Sequence, residues 1–165
     1  MGQPLIERLL LDVTATESLG AALARCVPWA APQALTVFQH GELGAGKTTL
    51  VRGLLRELGV DGTVRSPTYT LLECYETAAG RVLHLDLYRL AGGAEVASLG
   101  LRDEVDRGVL LLIEWPERAA AALPPADLSI TLSLAAAGRS ARLEGLSPAG
   151  AAWLATATRA AASQK

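Results

Sequence analysis

Residues 34–59, ALTVFQHGELGAGKTTLVRGLLRELG, decide the fold. The stretch opens with Ala34–Gln39, a short apolar run with Val, Phe and Thr, which reads as a strand. Gly41-Glu-Leu-Gly-Ala-Gly46-Lys47-Thr48 follows and matches the pattern G-x-x-x-x-G-K-[ST]. Its glycines let the backbone curl around an anion with several N–H groups turned inward. Lys47–Leu58 then sets Leu50, Val51, Leu54, Leu55 and Leu58 on one helical face, and Gly59 is placed to stop the helix. Strand, glycine loop and helix in this order form a phosphate cradle, to which the helix adds the positive end of its dipole. Of two lysines among 15 basic residues, one sits here, consistent with a need for a compact ammonium.

The rest of the chain reads as α/β outward from that unit. Upstream, Leu5–Val13 is strand-like. Thr14-Ala-Thr-Glu17 fits a capping box for a helix reaching to about Cys26. Downstream, Val64–Leu72 is extended but interrupted by Pro67, Arg81–Leu87 is a strand, and Gly92–Asp106 is one or two short helices. Gly108–Glu114 is continuously apolar up to its acid, the habit of a strand buried on both faces at the centre of a parallel sheet. Asp127–Leu134 and Ser140–Leu146 alternate and predict an antiparallel pair at the end of the sheet. Ser147-Pro148 starts a final helix, and the alanine runs 119–122 and 160–162 favour helix. The expectation is one P-loop NTPase-like domain over 1–165, a mostly parallel central sheet flanked by helices with additional antiparallel strands.

Composition removes other classes. Half the residues are hydrophobic and 19% are charged, so the chain is neither disordered nor highly charged. The net charge is −2, against a broad nucleic-acid footprint. No apolar run has a membrane span's length, and Glu7, Arg8 and Asp12 break up the only candidate for a secretion signal. Cys26 and Cys74 read as reduced, partly buried thiols, in keeping with the cytosol.

In a P-loop protein, Gly44, Ala45, Gly46, Lys47, Thr48 and Thr49 would surround the phosphates of ATP or ADP. Lys47 would reach the β- and γ-phosphates, and Thr48 would ligate Mg²⁺. An acid beside the metal is needed at a neighbouring strand end. Glu114 is assigned to it because the run before it is the more continuously apolar. Asp86 is left to orient the attacking water or to bind Mg²⁺ through water. Ser66, Thr68 and Thr70 lie where GTPases carry a mobile switch, or else in a rigid proline turn. Arg89 is a candidate cis arginine or a solvated one. Trp115 either lies by the nucleotide or only packs, and His40 and His84 read as core or surface histidines. No N-K-x-D segment for guanine is present, and no arginine-rich lid. A small-metabolite kinase and a nucleotide-binding module without turnover are the competing readings.

Five stretches then occur in a recognisable order: Gly41–Thr49, Ser66-Pro-Thr-Tyr-Thr70, His84-Leu-Asp-Leu-Tyr-Arg-Leu90, Leu99-Gly-Leu-Arg102 and Ile113-Glu-Trp-Pro-Glu117. Together they resemble the TsaE (YjeE) family of small P-loop ATPases in bacterial tRNA threonylcarbamoyladenosine synthesis. The resemblance implies ATP and Mg²⁺ at Lys47, Thr48 and Glu114, a role for Asp86 in hydrolysis, and adenine near Thr16. It also implies two partner subunits, TsaD and TsaB, which transfer threonylcarbamoyl to adenosine 37 of tRNAs reading codons that begin with A. The ATPase itself would bind and reset that pair, touch tRNA only indirectly and hydrolyse slowly alone.

Overall fold

The structure is a computed structural model that describes residues 4–104 and 106–162. The outermost residues of the expected domain, and Val105 within the expected helical segment 92–106, lie outside the described residues. Seven strands form one sheet: β1 (Leu5–Leu10), β2 (Leu35–His40), β3 (Leu72–Glu76), β4 (Arg81–Asp86), β5 (Val109–Glu114), β6 (Leu128–Ala135) and β7 (Gly138–Gly145). Their order is β1-β7-β6-β2-β5-β4-β3. β6, β2, β5 and β4 run parallel; on one side β7 pairs antiparallel with β6 and β1 antiparallel with β7, and on the other β3 pairs antiparallel with β4. The helices are α1 (Val13–Ala24), α2 (Lys47–Glu57), α3 (Gly93–Ser98), α4 (Leu101–Glu104) and α5 (Pro148–Ala162).

One core lies between the sheet and α1, α2 and α5, and a second on the opposite face under α3 and α4. Every residue of β5 is buried, as its apolar run predicts. Two glycines bring α1 against the P-loop helix. A Cβ on Gly20 would collide with the Leu50 carbonyl oxygen, and one on Gly53 with the Glu17 backbone. α2 closes at Gly59 (φ 85°) with Gly59 N–H donating to Arg56 O and Val60 N–H to Leu55 O, both at 3.0 Å. That pair of bonds is the Schellman arrangement, which satisfies carbonyls at the helix end. At α5 the expected cap forms, with Gly150 N–H donating to Ser147 Oγ at 3.0 Å.

Several expectations are corrected. β1 stops at Leu10, and α1 starts at Val13 with Asp12 as its N-cap, accepting from Ala15 N–H at 2.7 Å. Thr14 is therefore inside the first turn, and Glu17 pairs with Arg52 and Arg56 of α2 instead of reaching back. The extended reading of 64–72 is misplaced. The chain turns after Pro67, Leu71 takes a left-handed φ of 64°, and the strand begins only at Leu72. β6 and β7 do pair, yet they are not the sheet's end, because β1 adds outside β7. The alanines at 120–122 form a single 3₁₀ turn, following another at Pro116–Arg118. Cys26 is half-buried as expected, but Cys74 is exposed on β3, the edge strand. Among the described residues no helix is long and apolar enough to cross a membrane.

Candidate functional site

Parallel register builds the site. Gln39 of β2, Glu114 of β5 and Asp86 of β4 are aligned Cα partners across three neighbouring strands, at the carboxyl ends where open α/β sheets bind ligands. Strand alternation puts all three on the face that carries Val37, Leu112 and Val82 toward α2. Beneath them on the same face of β4 lies His84. All four side chains are buried.

The loop Gly41–Gly46 bridges β2 to α2. Gly41, Gly44 and Gly46 have φ of 141°, 78° and 108°, a region that side-chain-bearing residues rarely enter. Space also forbids a side chain at Gly41, where a Cβ would meet the Leu132 carbonyl. Gly46 is the N-cap of α2, and no side chain of the described residues caps that helix. α1, by contrast, has Asp12. The first-turn amides of α2 are thus left for an acceptor from outside, the geometry of an anion site.

Lys47 is buried at 5% exposure and its Nζ donates to the carbonyls of Gly41 and Glu42. The same ammonium lies 4.3 Å from the centroid of the Trp115 ring. Burial pushes its pKa below the ordinary 10.5, while Glu114, Asp86 and Glu117 hold it up. Thr48 Oγ1 donates to Glu114 Oε1 at 3.0 Å. His84 Nε2 donates to the same oxygen at 2.8 Å, and its Nδ1 is buried without a partner among the described residues. Asp86 accepts from Ser66 Oγ, from Thr68 Oγ1 at 3.1 Å and from Tyr88 N–H at 3.0 Å.

Lys47, Thr48, Glu114, Asp86, Ser66 and Thr68 line a cleft of about 410 Å³ with Gly44, Gly46, Thr49, Trp115 and Arg89 on its walls. Trp115 holds a left-handed φ of 59°, and its ring packs 4.9 Å from that of Tyr88. Arg89 stacks on Tyr69 at 4.4 Å and donates to its hydroxyl at 3.3 Å. Three expected residues are not brought into the cleft. Thr16 is buried with its hydroxyl on Asp12 O, Ala45 is buried with its N–H on Glu42 O, and Thr70 faces Glu73.

Gln39 and Arg139 went unread in the sequence, and His84 was read as a core or surface histidine without its tie to Glu114. His84 could have been found from its place two positions before Asp86 on a core-facing strand. Gln39 could have been found as the polar end of β2. Its amide nitrogen and oxygen are buried with no partner among the described residues. Arg139 lines the cleft from β7 and donates from Nη2 to Gly44 O at 3.2 Å. Its signal is subtle. Leu143 and Ala141 face the core, and Arg139 continues their alternation as a charge.

A Mg²⁺–nucleotide fits what is present. Mg²⁺ takes one or two protein oxygens and completes its shell with water and phosphate. Thr48 and Glu114 already meet as such a pair. Among the described residues no cluster of three or more His, Cys, Asp or Glu side chains forms a self-sufficient metal site.

Comparisons with known proteins bear on the fold and the family. A crystal structure of Bacillus subtilis YdiB superposes with a TM-score of 0.76 over 98% of this chain and 99% of that one, at 22% identity, which shows the shared fold. A Haemophilus influenzae protein named tRNA threonylcarbamoyladenosine biosynthesis protein TsaE is 46% identical over 100 residues, 61% of this chain and 63% of that one. A Synechocystis protein of the same name is 37% identical over 123 residues, 72% of this chain and 74% of that one. The family model described as threonylcarbamoyl adenosine biosynthesis protein TsaE matches residues 10–142, a span running from the end of β1 through the phosphate loop, both acids and Arg139. By that match the chain belongs to the TsaE family.

Proposed function

We propose that this chain is a cytosolic ATPase that serves threonylcarbamoyladenosine formation in tRNA. It would work on a TsaB–TsaD transferase pair, which it binds and resets, and would not itself carry out the transfer. The pathway comes from the names of its relatives and the partners from the family resemblance. The single observation that carries the chemistry is the convergence of uncapped α2 amides, Lys47, Thr48 and Glu114 at one strand-end cleft.

Each residue then has a task. The α2 amides and Lys47 hold the phosphates. Lys47 exchanges its loop carbonyls for phosphate oxygens, which are stronger acceptors for an ammonium. Thr48 and Glu114 would hold Mg²⁺, which would supply positive charge to the phosphates. His84 keeps Glu114 facing Thr48. Asp86 receives only donors, so its carboxylate is fixed as an acceptor beside the γ-phosphate end. There it would orient the attacking water. Ser66 and Thr68, now held by Asp86, would answer to the γ-phosphate as a switch. Arg89 would leave Tyr69 if it contributes charge in cis.

Nucleoside mass spectrometry on bulk tRNA from depleted cells tests the pathway. Threonylcarbamoyladenosine should fall, and be restored by the wild-type chain but not by Lys47→Ala. Unchanged modification would refute the role. Phosphate release should be slow for the chain alone and faster with both partners.

A further inference from the structure

We propose that Gln39 is a positioning residue for Glu114: with Mg²⁺–nucleotide in the cleft, its side-chain amide donates to the Glu114 carboxylate and holds it toward the metal. The inference rests on the nucleotide reading above and deepens it.

Gln39 is destabilising where it stands. It is 0% exposed, and neither its Nε2 nor its Oε1 has a hydrogen-bond partner among the described residues. A buried polar atom without a partner loses its hydration and gains nothing in return, whereas an apolar side chain of the same shape carries no such penalty. Both amide atoms are also shut off from solvent. A carboxamide kept under those terms points to a partner that arrives when the site is filled.

The surroundings leave one acceptor for Nε2. On the β6 side Gln39 is aligned with Ile130, and two residues back on its own strand the same face carries Val37. The α2 side chains packed over this core, Leu50, Val51 and Leu54, are apolar. Lys47 has only hydrogens to give. On the β5 side Gln39 is aligned with Glu114. Neighbouring strands run about 4.8 Å apart, and Gln and Glu side chains are equally long, so carboxamide and carboxylate stand next to each other on one face. As the chain stands, the bond between them is not made.

Glu114 has an oxygen to spare. Its Oε1 takes both close donors, His84 Nε2 at 2.8 Å and Thr48 Oγ1 at 3.0 Å, whereas Oε2 has only Thr48 at 3.4 Å. An ionised carboxylate offers about four acceptor sites. His84 therefore grips Glu114 from β4, and no side chain of the described residues grips it from β2. Once Thr48 and Glu114 turn to Mg²⁺, a donor from Gln39 supplies the second hold and ends the isolation of its own Nε2. Carboxylates that hold a metal are themselves fixed by hydrogen bonds, and losing such a partner weakens the metal by about 10- to 100-fold.

Calorimetric titration of ADP across a range of Mg²⁺ concentrations, and again in EDTA, tests this. Gln39→Met keeps the length of the side chain and removes the amide. It should raise the Mg²⁺ concentration needed for tight ADP binding by about 10- to 100-fold and leave ADP affinity in EDTA within about twofold. The unliganded variant should melt at or above the wild-type temperature, because two partnerless buried atoms are gone. In a Glu114→Gln background, Gln39→Met should change the Mg²⁺ dependence no further. An unchanged Mg²⁺ requirement would overturn the inference, whatever the melting temperature. So would equal weakening with and without Mg²⁺, which is the mark of a packing role, or a full extra loss in the Glu114→Gln background. A wild-type chain whose ADP binding ignores Mg²⁺ would instead sink the metal reading, and the inference with it.

Discussion

Replacing His84 by Leu removes a donor from a carboxylate that has almost no access to water. His84 is 0% exposed and Glu114 3%. A hydrogen bond to a charged group contributes about 1.5–3 kcal/mol, and breaking a buried pair outright costs about 3–5 kcal/mol. Thr48 stays on Glu114 at 3.0 Å and Lys47 stays nearby, which favours the lower part of that range. The partnerless Nδ1 also disappears, which offsets some of the loss. The net expectation is about 2–3 kcal/mol. At about 2–4 °C per kcal/mol for a chain of this size, the unliganded protein should melt about 4–12 °C lower. Far-UV circular dichroism during heating measures it. His84→Gln, which keeps an N–H donor, should recover part of the loss. His84→Leu combined with Glu114→Gln should cost less than the two changes summed, because no buried charge is then stranded. A His84→Leu melting point within about 2 °C of wild type, or strict additivity in the double variant, would refute the idea that His84 supports Glu114.

Four further outcomes are expected. Lys47 has a lowered pKa in the free protein, and phosphate should raise it, so binding takes up protons once pH exceeds the free value. ATP affinity should fall as pH rises through that range, and calorimetric enthalpies there should depend on the buffer's ionisation heat. By the same sign, the unliganded chain gains stability as pH rises from the depressed value toward 10.5, where unfolded lysine still holds its proton, and Lys47→Met should abolish that slope. Asp86→Asn should lower kcat by tenfold or more, about 1.4 kcal/mol of transition-state stabilisation, with ADP affinity little changed in binding assays. Gly20→Ala should cost about 1–3 kcal/mol in urea unfolding, since the new methyl falls on the Leu50 carbonyl of α2.

Local sequence carried much of the design and missed the rest for identifiable reasons. The phosphate loop, its flanking strand and helix, and the acids at the ends of β4 and β5 are each encoded within a few residues, by glycine, by lysine and by an apolar run ending in a carboxylate. The stop at Gly59 and the cap at Ser147 are equally local. The β3 start was hidden because Leu71, a residue with no preference for positive φ, makes the turn. The cap of α1 was misread because Asp12 and Thr14 both suit the position, and only the end of β1 decides between them. Arg139 depends on which strand neighbours which, and the alternation Leu143, Ala141, Arg139 becomes informative only once β7 is known to run back toward the loop. His84 is a plain core histidine until register sets it beneath Glu114.

The placement of β1 has a consequence for how the protein is made. Among the described residues β1 ladders only with β7, which follows the rest of the sheet in the chain. On the ribosome β1 must wait unpaired while the phosphate loop, α2 and both acids emerge. The hairpin of β6 and β7 then closes the sheet and delivers Arg139 to the cleft in the same event. A ligand that fills this cleft would rest against a wall the last hairpin supplies, and so would favour the completed chain over the nascent one.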